Sequence, residues 1–187
     1  KRKNLWFEKF VHLENNKRAY FFEKEFDMKK FEKKIKFKIS KNQNFVEYSE
    51  TGVKYLRQTS KIIRKNTGGV LIIDYGYTQN KMKDTLQAIS KHKYSNILEN
   101  IGNSDITHNI NFRLFQRIIK YIGELKNNLT TQKEFLFRMG INQRAELISK
   151  NLNFLKKADV YYRLKRLTDD KQMGTLFKVM LIKNEKN

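Results

Sequence analysis

Three aspartates and three histidines are the first side chains to weigh, because a carboxylate can orient or deprotonate an amine and an imidazole can move a proton or hold a metal. Asp74, Asp84 and Asp105 can converge as carboxylates, although aspartates in loops commonly serve nearby backbone amides instead. Of His12, His92 and His108, only the last two share a region; they stand 16 residues apart, and neither has a partner one helical turn away. That spacing favours exposed or hydrogen-bonded imidazoles over a metal centre. With 0 Cys the chain has no disulfide, no thiolate zinc site and no cysteine nucleophile, and this usage fits a reducing compartment. It also lacks a glycine-rich phosphate loop, an HExxH pair and a nucleophile elbow.

Asp74 has the most informative setting. The run Val70, Leu71, Ile72 and Ile73 is the short continuous apolar segment expected of a central parallel strand, and Asp74, Tyr75 and Gly76 follow at its carboxyl end. In open α/β sheets that end borders the ligand crevice. Upstream, Val53, Leu56, Ser60 and Ile63 recur at helical spacing, with Ser49 or Thr51 available as the cap and residues 66–69 as the stop. Helix, glycine stop and buried strand make one αβ unit.

The flanking segments supply the rest of the frame. Residues 5–14 and 18–25 are two aromatic-rich runs separated by Asn15, Asn16 and Lys17, as in a β-hairpin. Ile35, Phe37 and Ile39 alternate with Lys36, Lys38 and Ser40, which predicts a half-buried edge strand with a lysine-covered face, and residues 38–44 read as a loop. Phe112, Phe115, Ile118, Ile119, Ile122 and Leu125 predict an amphipathic helix stopping near residues 123–127. Two further helices are expected over 135–139 and 145–155, with Gly140 between them, and a second buried strand over 176–182 after Gly174.

Composition narrows the function classes. The chain has 187 residues, 39% of them hydrophobic and 13% aromatic, enough for an ordinary core and too much for a disordered basic tail. Its net charge is +21, but the 40 basic residues divide into 30 Lys and 10 Arg, occur in every segment and accompany 19 Asn and 0 Pro. This pattern fits compositional drift of a solvated surface better than a shaped nucleic-acid site. Residues 1–41 are the exception, with 14 basic residues against 6 acidic ones. No apolar run reaches the roughly 18 residues of a membrane span, and the N-terminal residues lack the apolar centre of a signal peptide, so a cytoplasmic location is expected.

Five segments occur in an order that carries a resemblance: GGVLIIDYGY (68–77), DTLQAISKHK (84–93), SDITHNINF (104–112), TQKEFLFRMGINQRAE (131–146) and MGTLFKVMLI (173–182). Together with NFVEYS (44–49) and the basic hairpin, they resemble the C-terminal half of the MidA-like S-adenosyl-L-methionine-dependent methyltransferases, whose mitochondrial member methylates a protein arginine and assists assembly of respiratory complex I. The resemblance implies an α/β fold: the later strands and helices of a Rossmann-like, class I methyltransferase domain with a β-hairpin insertion at the N-terminus. It implies one domain over 1–187, with a basic hairpin region over 1–45 and an α/β and helical region over 46–187.

The resemblance further implies S-adenosyl-L-methionine as cofactor, with its main grip in an N-terminal half outside this sequence. It makes Asp74 the candidate catalytic carboxylate, and Tyr75, Gly76, Asp84, His92, Asp105, Thr107 and Gln132 candidates on the substrate side. No metal is implied. The chain is thus expected to be a fragment whose activity needs a separate N-terminal half, acting on a protein substrate, with a homo-oligomer also possible. A sheet lacking its first strands leaves an edge that demands a partner. Two other readings stay open: a basic non-catalytic module binding RNA or protein, and a decayed remnant of an enzyme.

Overall fold

The computed structural model describes residues 1–15, 18–99 and 101–184, and sixteen elements lie among them. In chain order these are β1 (Trp6–Glu14), β2 (Arg18–Phe26), α1 (Met28–Ile35), α2 (Glu50–Lys65), β3 (Gly69–Tyr77), β4 (Gln87–Ser90), β5 (Lys93–Ser95), β6 (Asp105–Thr107) and β7 (Ile110–Asn111). They continue with α3 (Phe112–Ile122), β8 (Leu125–Thr131), α4 (Gln132–Arg138), α5 (Ile141–Ser149), α6 (Phe154–Thr168), α7 (Met173–Leu176) and β9 (Phe177–Asn184). Two compact units divide them: residues 1–48 with 80–108, and residues 49–79 with 109–187.

In the first unit β1 and β2 form the expected antiparallel hairpin, in register from Trp6 opposite Phe26 to Glu14 opposite Arg18. Asn16 and Lys17 of its connection lie outside the described residues. Cross-strand aromatic pairs hold one face: Phe10 stacks on Phe22 at 5.5 Å and His12 meets Tyr20 at 5.2 Å. A second small sheet has the order β5-β4-β6.

The edge strand expected around Ile35–Ser40 does not form. Asp27 caps α1 by accepting from Lys30 N at 2.9 Å, and Met28, Phe31 and Ile35 fall on one helical face, so Ile35 belongs to the last turn of a helix that Lys36, at φ 53°, ends. The segment beyond α1 is then turned back by a buried carboxylate. Glu32 Oε1 accepts from Ile39 N, Ser40 N and Ser40 Oγ, each at 2.8 Å, which ties to a side chain the amides a strand would have offered to a neighbour. Residues 38–44 form the expected loop.

The second unit holds a four-stranded mixed sheet of order β7-β3-β9-β8. α2 begins at Ser49, whose side chain accepts from Gly52 N at 2.9 Å, and buries Val53, Leu56, Ser60 and Ile63. With α3 it packs on the sheet, and Ile118, Ile119, Met180 and Ile182 are almost wholly enclosed.

β3 departs from the central parallel strand expected of it. It runs antiparallel to β9 from Gly69 to Tyr75 and is parallel only to the two residues of β7, at Gly76 and Tyr77. Its burial alternates rather than being continuous: Leu71 and Ile73 stay half-exposed on one face, while Val70 and Ile72 lie beside Ile182 and Met180 on the other. Among the described residues no strand pairs with Gly69–Tyr75 on the side of β3 away from β9.

The helix expected over 145–155 is two helices. α5 stops at Ser149, and Asn153 starts α6 by accepting from Lys156 N at 3.0 Å. The amphipathic helix over 112–122 stops at Gly123, as expected, and Leu125 turns inward as the first residue of β8.

Candidate active site

The parallel pairing of β3 with β7 brings two carboxyl ends to the same place, with Gly76 opposite Ile110 and Tyr77 opposite Asn111. α3 follows β7 without a linker, so a strand end, a second strand end and a helix N-terminus meet around Asp74, Tyr75 and Gly76.

Asp74 lies in one cross-strand row with Lys178 and Thr131, on the helix-covered face. Its Oδ1 accepts from Tyr75 N at 2.7 Å, so one carboxylate oxygen holds the local backbone. Opposite it, Lys178 is half-buried; desolvation holds its ammonium below the usual lysine value, and its Nζ donates to Thr175 O. Asp74 and Lys178 are thus register partners across β3 and β9, and a carboxylate at the Asp74 position has the chemistry to accept hydrogen bonds from a planar guanidinium. Tyr75 points to the other face, its ring centroid 4.1 Å from that of Phe177.

Gly76 has a steric role. A Cβ there would come within 2.5 Å of Ile110 O and of the Phe112 ring, so the glycine allows β7 and α3 to close on the strand. Gln132 sits buried at the start of α4, and its Nε2 donates to Leu167 O at 2.9 Å, tying α4 to the end of α6. That amide already serves a backbone carbonyl.

The remaining predicted residues belong to the first unit. Asp84 is exposed, 3.5 Å from Lys9 Nζ. His92 occupies the tight β4–β5 turn, where it and Lys91 both have positive φ (63° and 50°). Asp105 is exposed on β6 opposite Ile89, and Thr107 Oγ1 accepts from Gln87 Nε2 at 3.0 Å. Asp74, Tyr75, Gly76 and Gln132 therefore belong to one unit, and Asp84, His92, Asp105 and Thr107 to the other.

Two carboxylates escaped the sequence reading. Glu32 is the buried knot already described; burial pushes its carboxyl up, but the bonds from Ser40 and Ile39 hold it below the usual carboxylate range. Glu47 is half-buried, and desolvation pushes it up despite a 2.9 Å bond from Thr85 Oγ1 and the nearby His108, with Asp84 adding repulsion. Its motif segment, NFVEYS, was the available signal. No group of three or more histidine, aspartate or glutamate side chains among the described residues can hold a metal ion.

The sheet order, its crossing helices and the shared strand ends define the fold of a class I-like α/β methyltransferase domain. Comparison with solved structures agrees. A Burkholderia thailandensis crystal structure superposes with a TM-score of 0.77 at 19% identity, covering 98% of this chain and 50% of that one. A second, bound to S-adenosyl-homocysteine, gives 0.76 at 19% over 98% and 49%.

Residues 1–130 match the family described as "Putative S-adenosyl-L-methionine-dependent methyltransferase". The chain belongs to that family, the MidA-like S-adenosyl-L-methionine-dependent methyltransferases. Relatives include the mitochondrial protein arginine methyltransferase NDUFAF7 of Xenopus tropicalis, 30% identical over 73% of this chain and 31% of its own length. The mitochondrial NDUFAF7 homolog of Drosophila melanogaster is 31% identical over 63% and 27%. The chain thus spans about a third of the length of the curated relatives it matches.

At the one junction among the described residues where a parallel strand feeds a helix, Asn111 Oδ1 already accepts from Leu114 N at 3.0 Å, and the Phe112 ring fills the space over Gly76.

Proposed function

We propose that this chain is the C-terminal part of an S-adenosyl-L-methionine-dependent protein methyltransferase with an arginine acceptor, completed by strands that pair with the open edge of β3. The family match over residues 1–130 carries the reading. The β3 edge from Gly69 to Tyr75 supports it, since unpaired backbone beside the half-exposed Leu71 and Ile73 is a template for a further strand. The completing strands belong to an N-terminal half, supplied by the same gene or a separate chain, and the cofactor's methyl donor is held there.

In this reading Asp74 accepts hydrogen bonds from the acceptor guanidinium and fixes the attacking nitrogen. A link to assembly of a respiratory complex follows from the relatives alone and is part of the proposal. A cytoplasmic setting remains the expectation for this chain, with the mitochondrial relatives naming the alternative; no described helix is long and apolar enough to cross a membrane.

Calorimetric titration of S-adenosyl-L-methionine into the chain, alone and mixed with the N-terminal half of a family relative, tests the proposal. Binding and transfer of labelled methyl to an arginine-rich protein only in the mixture is the expected result. Absence of both would leave a non-catalytic module.

A further inference from the structure

The corner between α5 and α6 exposes side chains that a water-facing surface does not need. Phe154 is 83% exposed, Leu155 77%, Leu147 69% and Tyr162 67%, with Ile148 and Leu152 beside them. On α6 the shielded positions are Val160, Leu164, Leu167 and Thr168, one side of the helix, and Leu155 and Tyr162, seven residues apart, fall on the opposite side. This is an apolar ridge beyond the core-facing stripe.

We propose that this corner is a docking surface for an anionic lipid bilayer. Charge selects the occupant. α6 carries Lys156, Lys157, Arg163, Lys165 and Arg166 against Asp159, which pairs with Arg163 at 2.8 Å, and Lys150 sits in the turn. Lys156 and Lys157, directly after Phe154 and Leu155, suit a headgroup boundary, where stems lie along acyl chains and ammonium groups reach phosphate. Aromatic residues whose one end is polar, as in Tyr161 and Tyr162, favour the same boundary. The ridge is a projecting helix–turn–helix corner, so insertion needs no groove. The contact proposed is that of this surface alone; no described helix is long and apolar enough to cross a membrane. The proposal is independent of methyl transfer.

Sedimentation of the full chain with vesicles of phosphatidylcholine alone, or mixed with phosphatidylglycerol, at about 0.15 M ionic strength separates this surface from bulk attraction by the +21 charge. Wild type is expected to sediment with the mixed vesicles only. The double variant Phe154→Ser/Leu155→Ser is expected to partition about tenfold more weakly with an unchanged melting temperature, since both side chains are exposed. Equal binding by that variant would overturn the proposal in favour of non-specific charge, and absence of wild-type binding would overturn it in favour of a protein-facing ridge. The chain's lack of cysteine permits a second readout. A Leu155→Cys variant carrying an environment-sensitive fluorophore should shift to the blue with mixed vesicles, and no shift would count equally against insertion.

Discussion

Gly76 and the ring of Phe112 are so close that a Cβ on the glycine would lie 2.5 Å from two ring carbons. Strand end and helix start are locked together two residues beyond the candidate carboxylate, Asp74, which lies within β3 opposite Lys178. Gly76→Ala is therefore expected to force β7 and α3 away from β3, at a cost of about 1–3 kcal/mol. A lower denaturation midpoint with an unchanged slope in urea checks this; a wild-type midpoint would show that the corner can relax.

Glu32 should make the first unit acid-sensitive. Its folded carboxyl is held below the unfolded value, so its stabilisation is present above the unfolded value and disappears as pH falls through the folded one. Glu32→Gln should lower the melting temperature at neutral pH, equivalent to about 1–3 kcal/mol, and flatten the acid limb of a melting-temperature profile.

Glu47 should do the reverse. Its folded value is raised, chiefly by burial, so its favourable contribution exists below the unfolded carboxylate value and is lost as pH rises through the folded one. Glu47→Gln is expected to raise the melting temperature at neutral pH and to change it little in acid. Melts at the two pH values decide the sign.

Asp74→Asn should separate folding from chemistry. In the completed enzyme the variant is expected to bind S-adenosyl-L-methionine normally while methyl transfer falls by about a hundredfold. Parallel calorimetry and label transfer read the two effects; wild-type transfer would remove Asp74 from the site.

Gln132→Leu should loosen α4 from α6, because its amide satisfies Leu167 O in a buried setting. A loss of about 1–3 kcal/mol is expected, read as faster hydrogen exchange in α4 and the end of α6.

Much of the frame is legible in local signals along the chain. Ser49, Gly123 and Gly140 mark helix boundaries because caps and stops depend on a residue and its immediate neighbours. The second half of the predicted 145–155 helix fails for the same reason, since Asn153 is a cap that an apolar pattern alone conceals. β8 goes unseen because Leu125 and Leu129 alternate among asparagines and threonines, a weak strand signal that pairing with β9 makes sufficient.

By itself the sequence determined the helix and following strand that carry Asp74, the hairpin, and the family to which the chain belongs, since each rests on residue order along the chain; the strand itself runs on to Tyr77. Only tertiary structure decided that residues 35–40 wrap a buried Glu32 instead of joining a sheet, and that β3 pairs antiparallel with the C-terminal strand. It also decided that Gly76 is glycine for steric reasons, and that Gln132 commits its amide to Leu167. Those outcomes depend on which distant backbone groups meet, and hydrogen-bond satisfaction across a fold is a property of contacts that no local window of residues contains.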